Sequence, residues 1–429
     1  MPSLTPAPAP DARAVATQLA ASSTFVPNMK LPVHGWFRFS AGYSAEWAQG
    51  VMAEHARGAA PTVLDPFCGS GTTLIAAEAA GLSACGVESH PFLARIAQAK
   101  LLYREDPELL LEHAARVREH ACTLEGDVTE YAVLIRRCFT DEALQKLDAL
   151  RRASLAHATD APASALVWLC LLSILRRVSH VGTAPWQYVL PSKRKQRPSD
   201  PYTAFDAQVA RMVGDMRLAR TIEGPRSTLL SGDARTLERV ADDSVDLVVT
   251  SPPYPNNFDY ADATRLEMTF MREIRGWGDL QHVVRRHLVR SCSQHCPERA
   301  LSLPELLAAP ELGALAPELA RVCQELSRLR TERRGRKTYH LMVACYFLDM
   351  ARVWGALRRV CREGSRVCLV VGDSAPYGVH VPVADWMRTL ALAAGFGGAR
   401  FEKTRDRNIK WRNRVHRVPL CEGRLWVDG

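Results

Sequence analysis

The stretch PTVLDPFCGSGTTLIAAEAAGLSACGVESHP, residues 61–91, decides the fold. It opens on a short apolar run ending at Asp65, breaks at Gly69 and Gly71, continues through an alanine-rich segment, and returns to an apolar run ending at Glu88. The periodicity moves from strand to helix and back, so the segment reads as a parallel βαβ unit. Gly69 and Gly71 let the backbone turn sharply and approach a ligand closely. An acid about twenty residues past such a loop stands where a carboxylate accepts from a ribose hydroxyl pair. The loop lacks the Gly-Lys-Ser/Thr of a triphosphate cradle, and Leu74 stands where a dinucleotide-binding loop has its third glycine. A nucleoside-bearing ligand without a pyrophosphate is therefore favoured over a dinucleotide.

The same logic recurs downstream. STLLSGD ends at Asp233, VDLVVT runs into the turn TSPPYPNNFDY (250–260), SRVCLVVGDS supplies a further strand, and FEKTRD with GRLWVDG reads as a closing hairpin. Parallel strands in an open sheet present their ends on one carboxyl edge, where ligands bind, so Asp65, Glu88, Asp233 and the proline turn are expected to share a crevice. Proline removes the backbone donor and fixes its own φ, so Pro252 and Pro253 end a buried strand in a stiff, donor-poor turn. Asn256, Asn257, Asp259 and Tyr260 follow closely enough to line a pocket, although capping by Asn or Asp is the simpler account.

The rest of the chain sets limits. At 429 residues with 47% hydrophobic and 24% charged content, it has room for one large or two moderate domains and a sizeable core. The net charge of +9 is concentrated in PSKRKQRP (191–198), RLRTERRGRK (328–337) and KTRDRNIKWRNRVHR (403–417). Such patches suit a polyanion, and equally suit solvated helix faces. The 12 cysteines lie scattered in apolar contexts, the pattern of reduced core residues in a cytoplasmic protein. MPSLTPAPAPDARA carries no apolar signal core and reads as a loose tail. The longest apolar run, ALVWLCLLSIL, is too short for a membrane span and reads as a buried helix. His282, His287, Cys292, His295 and Cys296 cluster in sequence, but their spacings do not match paired metal-ligand motifs, so no metal is expected.

DPFCGSGTT and TSPPY together resemble the first and fourth motifs of S-adenosylmethionine-dependent DNA amino-methyltransferases, which act on adenine N6 or cytosine N4; SPPY is the spelling usual in the cytosine N4 members. The resemblance covers roughly residues 28–100, 228–268 and 340–429. It implies a Rossmann-like class I methyltransferase sheet with helices on both faces and a closing antiparallel hairpin. It also implies that Asp65, Pro66, Phe67, Cys68, Gly69, Gly71 and Thr72 form the cofactor loop, that Glu88 meets the ribose, and that Asp233 with Ala234 lies near the adenine amine. KLPVHGWFRFSAGYS looks like the family's preceding motif, which brings His34 and Phe39 to the methionine part. On the same resemblance Ser251, Pro252, Pro253 and Tyr254 are catalytic. An exocyclic amine is a poor nucleophile because its lone pair is delocalised into the ring, so acceptors on its two N–H bonds help it pyramidalise. The carbonyl of Pro252 and the hydroxyl of Ser251 would grip the amine while Tyr254 stacks on a base flipped out of the duplex. No Pro-Cys pair of the cytosine C5 type occurs, and Cys68 reads as a small apolar filler.

Residues 1–27 are then a flexible tail, 28–100 and 228–429 the catalytic core with an insertion at about 270–338, and 101–227 a mainly helical insertion and candidate recognition region. Within the latter, basic and aromatic residues alternate around Lys193, Arg194 and Lys195, which suits phosphate clamping and base stacking. Asn257, Tyr260 and Trp411 complete the expected substrate contacts. The glycine loop precedes the proline turn, which excludes the circularly permuted motif order. The implied partner is double-stranded DNA, with a cognate restriction endonuclease as the companion system left open. Adenine N6 transfer, RNA amino-methylation and an inactive nucleic-acid-binding fold are the alternatives.

Overall fold

A computed structural model describes residues 25–39, 41–183, 189–194, 197–407 and 418–429. Its centre is a seven-stranded sheet in the order β5-β2-β1-β6-β7-β9-β8. The strands are β1 (Thr62–Asp65), β2 (Ser83–Glu88), β5 (Thr228–Ser231), β6 (Val245–Thr250), β7 (Cys361–Gly372), β8 (Gly398–Arg407) and β9 (Leu420–Asp428). The first five are mutually parallel, and β9 runs antiparallel to both β7 and β8. This is the expected Rossmann-like sheet with its closing hairpin.

The longer helices are α1 (Ala45–His55), α2 (Thr72–Ala79), α3 (Pro91–Leu101), α4 (Pro107–Thr123), α5 (Asp141–Ala156), α6 (Pro162–Val178), α7 (Pro201–Ala219), α8 (Ala316–Glu332), α9 (Tyr339–Val360) and α10 (Val383–Ala393). Side chains alternate across a strand, so the sheet buries two faces. Val63, Leu247 and Val249 pack with Trp47, Met52 and Leu74 of α1 and α2. Leu64, Val248 and Leu369 pack on the other face with Phe347 and Val353 of α9 and Trp386 of α10. Each such fully buried side chain contributes roughly 1.5–3 kcal/mol.

A third core lies beside the sheet. The run ALVWLCLLSIL is the middle of α6, buried on nearly every side among α4, α5 and α7, and the cluster extends to Phe92 and Ile96 of α3 and to Phe258 and Leu266 beyond the proline turn. Segment 101–227 thus shares its apolar core with residues on both sides of it. It also contains a two-stranded antiparallel sheet, β3 (Val181–Thr183) with β4 (Val189–Arg194), which the helical periodicity of its neighbours conceals.

The connections determine where a ligand sits. From β1 the chain moves outward through β2 to β5, then returns to place β6 on the other side of β1 and moves outward again to β7. The direction reverses between β1 and β6, and a crevice opens outside the carboxyl ends at such a switch point. Asp65 and Thr250 are the last residues of those two strands.

Among the described residues no helix is long and apolar enough to cross a membrane.

Candidate active site

The loop after β1 is shaped by its glycines. Gly69 has φ 56° and Gly71 φ 86°, left-handed values that side-chain-bearing residues resist. The Gly71 N–H donates to the Cys68 carbonyl at 2.9 Å, closing the turn before α2. The Gly69 N–H donates to Glu88 Oε2 at 2.6 Å and the His90 N–H to Oε1 at 2.7 Å, so the acid at the end of β2 is fastened to the glycine loop. Burial raises the Glu88 carboxyl to about 7, against the opposing pull of those two amides. Each oxygen accepts one amide and keeps acceptor capacity for a ligand hydroxyl.

Asp65 joins this loop to the proline turn. Its buried carboxylate accepts from Thr250 Oγ1 at 2.6 Å, from the Phe67 N–H at 3.1 Å and from the Tyr43 hydroxyl at 3.0 Å, and Thr73 Oγ1 donates to the same oxygen as Tyr43. One side chain thereby ties β1, the start of α2, the end of β6 and the segment before α1.

On the far side of Thr250, Ser251 Oγ donates to the Val370 carbonyl of β7 at 3.2 Å. With that bond made, Ser251 Oγ has lone pairs to accept with toward the cleft, and the Tyr254 side chain is its other hydrogen-bond neighbour. The Tyr254 N–H donates to the Tyr260 hydroxyl at 3.3 Å, and Ser374 Oγ donates to the Pro255 carbonyl at 2.6 Å. Burial pushes the Tyr254 phenol well up, keeping it neutral. The Arg407 guanidinium lies over the Tyr254 ring, 4.9 Å from its centroid, while its Nη1 donates to the Asp373 carbonyl at 2.8 Å.

Both corners open into one cleft. Phe67, Cys68, Gly69 and Thr72 line it from the loop, with Glu88 and Phe39; Ser251, Pro253 and Tyr260 line it from the turn. Pro252 is buried between its two lining neighbours.

Other expected residues stand back from the cleft. Pro66 and Gly71 shape the loop without lining it, and Ala234 packs in the core beside Val87. His34 is buried with its carbonyl accepting from Lys100 Nζ at 3.0 Å, and burial with the nearby lysine drives its imidazole down to about 3. Asp233 is held by Arg235, with Nη2 to Oδ2 at 2.6 Å. Asn257 Oδ1 accepts from the Ser293 N–H at 3.0 Å and the Ser293 hydroxyl at 2.6 Å, which makes it an anchor for the following insertion. Lys193 and Arg194 are exposed on β4, outside the cleft lining. Lys195 and Trp411 lie outside the described residues.

The His/Cys cluster around 282–296 makes separate local contacts. Cys292 Sγ donates to the Asn257 carbonyl at 3.7 Å, and His295 faces Asp259 at 3.6 Å. Burial alone would raise Asp259, but His295 and Arg285 outweigh it and hold the carboxyl at about 2.

Sequence reasoning missed several lining residues. Tyr43 belongs to the quoted KLPVHGWFRFSAGYS stretch, and Leu93 and His90 follow Glu88 directly, so proximity to the motifs was an available signal. Leu288 and Val289 come from the insertion at about 270–338 and carried no signal. They are set by Arg290, which gives its N–H and its guanidinium to the fully buried Asp349 of α9, with Nη2 to Oδ1 at 2.6 Å.

The lining fits S-adenosylmethionine. Glu88 offers acceptors for ribose hydroxyls, Phe39, Phe67, Leu288 and Val289 offer apolar walls for an adenine ring, and His90, driven down to about 3 by burial, adds no positive charge beside a sulfonium. A Cβ on Gly69 would stand 3.3 Å from the Phe39 ring, so the close approach of loop and ring depends on glycine.

Comparison with known proteins gives the same direction. The DNA methylase family profile matches residues 60–99, the segment from β1 to α3. The type II methyltransferase M.BsoBI of Geobacillus stearothermophilus is 22% identical over 413 residues, covering 87% of this chain and 80% of that one. The type II methyltransferases M.AvaI of a Nostoc species and of Anabaena variabilis are each 24% identical over 414 residues, covering 87% and 81%.

Proposed function

We propose that this chain, which carries the fold and cofactor-loop segment of the S-adenosylmethionine-dependent amino-methyltransferases, methylates the exocyclic amine of a base extruded from double-stranded DNA, with cytosine N4 as the acceptor. The observation that carries the reading is that the glycine loop, Glu88 and the Ser251–Pro253 turn wall a single cleft. The match to the DNA methylase profile supports DNA as the substrate, and a cognate restriction endonuclease is the corresponding partner system. The SPPY spelling supports cytosine; adenine N6 is the second reading, because both bases present an amine beside a ring nitrogen acceptor.

In this reading Glu88 takes the ribose hydroxyls, the Gly69–Ser70 backbone passes beneath the ligand, and Phe39 closes over it. Bound S-adenosylmethionine supplies an activated methyl group. The chain's own contribution is orientation and electrostatics. Ser251 Oγ, donating to Val370, accepts an amine N–H, as does the Pro252 carbonyl, so the nitrogen lone pair is drawn out of conjugation with the ring. Tyr254 stands next to the lining residues with Arg407 over one face of its ring and its N–H on the Tyr260 hydroxyl, and in this reading the other face takes the flipped base. No covalent enzyme intermediate is required, and the Cys68 thiol in the cleft is pushed well up by burial, which keeps it protonated and unreactive.

Methyl transfer from labelled S-adenosylmethionine to duplex DNA and to RNA, with mass analysis of the recovered nucleosides, tests the proposal. N4-methylcytosine in DNA is the expected product. Label in RNA alone, or none in either, overturns it.

A further inference from the structure

Resting on that reading, we infer that the loop Arg333–Lys337 is a phosphate clamp that holds the DNA backbone beside the catalytic turn. The sequence leaves RLRTERRGRK undecided between a solvated helix face and a polyanion site, and the structure divides the run in two. The helical half is neutralised: Arg328 pairs with Glu325 and Glu332, and Arg330 pairs with Glu298 at 2.7 Å. The half that follows is not. Arg334 and Arg336 are exposed, Lys337 is half-buried, and among the described residues none of the three forms an ion pair.

A chain of contacts carries this uncompensated charge to the active edge. The Arg333 Nη1 donates to the Tyr377 carbonyl at 3.0 Å, and the Tyr377 hydroxyl donates to the Lys337 carbonyl at 3.3 Å. The Tyr339 and Tyr377 rings meet edge to face at 4.7 Å. Tyr377 belongs to the short loop after β7, which is closed by the Ser374–Val381 bridge, and Ser374 Oγ is the group that grips the Pro255 carbonyl of the catalytic turn. The basic loop is thus docked on the same support as Tyr254. Its form is built: Arg334 takes the left-handed conformation at φ 49°, the Gly335 N–H donates to the Arg330 carbonyl at 2.8 Å, and a Cβ on Gly335 would strike the Tyr377 hydroxyl at 2.1 Å. By contrast, the Lys193–Arg194 patch rides on β4, which packs against β3 and the helix Val133–Cys138.

A base can be turned out of a duplex only if the flanking backbone is held, and guanidinium and ammonium groups on a loop tied through Tyr377 and Ser374 to the catalytic turn suit that task. The occupant is therefore DNA phosphate, bound without regard to base identity.

The test is a triple variant, Arg334→Ala with Arg336→Ala and Lys337→Ala, beside a control variant, Lys193→Ala with Arg194→Ala. Affinity for a fluorescein-labelled mixed-sequence duplex is measured against salt concentration, together with S-adenosylmethionine affinity and methyl transfer. Each phosphate contact adds about 0.9 to the slope of log K against log salt, so the triple variant should lose about two to three from that slope and bind at least about tenfold more weakly at low salt. Its S-adenosylmethionine affinity should match the wild type, which also reports a folded cleft, and the control should lose less. A wild-type slope in the triple variant overturns the clamp while leaving the methyltransferase reading intact. A loss confined to a duplex RNA probe overturns the assignment of DNA as the occupant. If the wild-type protein binds S-adenosylmethionine but neither binds nor methylates DNA, the parent reading falls, and the clamp with it.

Discussion

Thr250→Val tests the joint between the two halves of the site. Thr250 is fully buried at the end of β6, and its hydroxyl donates to Asp65 Oδ1 at 2.6 Å. Valine keeps the volume and strand preference and removes only that donor. A buried hydrogen bond to a charged acceptor contributes about 1.5–3 kcal/mol. Asp65 keeps the Phe67 amide, the Tyr43 hydroxyl and the Thr73 hydroxyl, so the carboxylate is not stranded and the loss should lie near the lower end, about 2 kcal/mol. The effect on catalysis should exceed the effect on stability. Ser251 is the next residue, and displacing a reacting contact by about 1 Å costs on the order of 100-fold in rate. Single-turnover methyl transfer, equilibrium binding of S-adenosylmethionine and urea denaturation together read the outcome. We expect a large loss of single-turnover rate with cofactor affinity changed by less than about threefold, since the interaction is spent on the transition state rather than on binding. A variant that loses the stability but keeps its rate would refute the view that Asp65 sets the catalytic corner. An equal fall in cofactor affinity would show that loop and turn cannot be perturbed separately.

Four further outcomes follow from named contacts. Ser251→Ala should lower turnover by about 10- to 1,000-fold, the range for losing one oriented polar contact to the transition state, while S-adenosylmethionine affinity, read by calorimetry, stays near wild type. Gly69→Val forces a β-branched residue to φ 56° beside the Phe39 ring, a strain of about 1–3 kcal/mol, and should abolish measurable cofactor binding. Glu88 has a folded-state carboxyl near 7 against an ordinary value of 4.5, so its contribution to stability is present below 4.5 and is lost as pH rises through 7. Ribose hydroxyls prefer the carboxylate, so cofactor affinity should rise with pH to a plateau above about 7, with proton release on binding seen in buffers of different ionisation enthalpy; Glu88→Gln should flatten that profile. Asp349→Ala strands the Arg290 guanidinium, while Arg235 keeps Asp233, and should cost about 3–5 kcal/mol in denaturant unfolding, with weaker cofactor binding because Leu288 and Val289 lose their support.

Local patterns determined much of this protein. Strand, glycine turn, helix and acid follow one another within residues 61–91, so β1, α2, β2 and Glu88 were readable from periodicity and backbone permissiveness alone, as was the stiff turn after β6. The convergence of Asp65, Glu88 and Ser251 was also foreseeable, because parallel strands share a carboxyl edge. Roles inside that convergence were not. Asp65 looks like a ligand contact in sequence and is in fact enclosed by four protein donors, since Tyr43 and Thr250 reach it from distant positions to join the nearby Phe67 amide and Thr73. Asp233 and Arg235 close on each other, and Asn257 turns toward Ser293, for the same reason: side-chain partners depend on which segments meet. Leu288 and Val289 reach the cleft only because Arg290 finds Asp349 on a helix far along the chain. The basic run at 328–337 makes the point most directly. Arg328 meets Glu325 and Glu332 at helical spacing, which sequence alone allows, but the pairing of Arg330 with Glu298 and the docking of the following loop on Tyr377 are decided by which segments meet, because charge compensation is a property of neighbours in space.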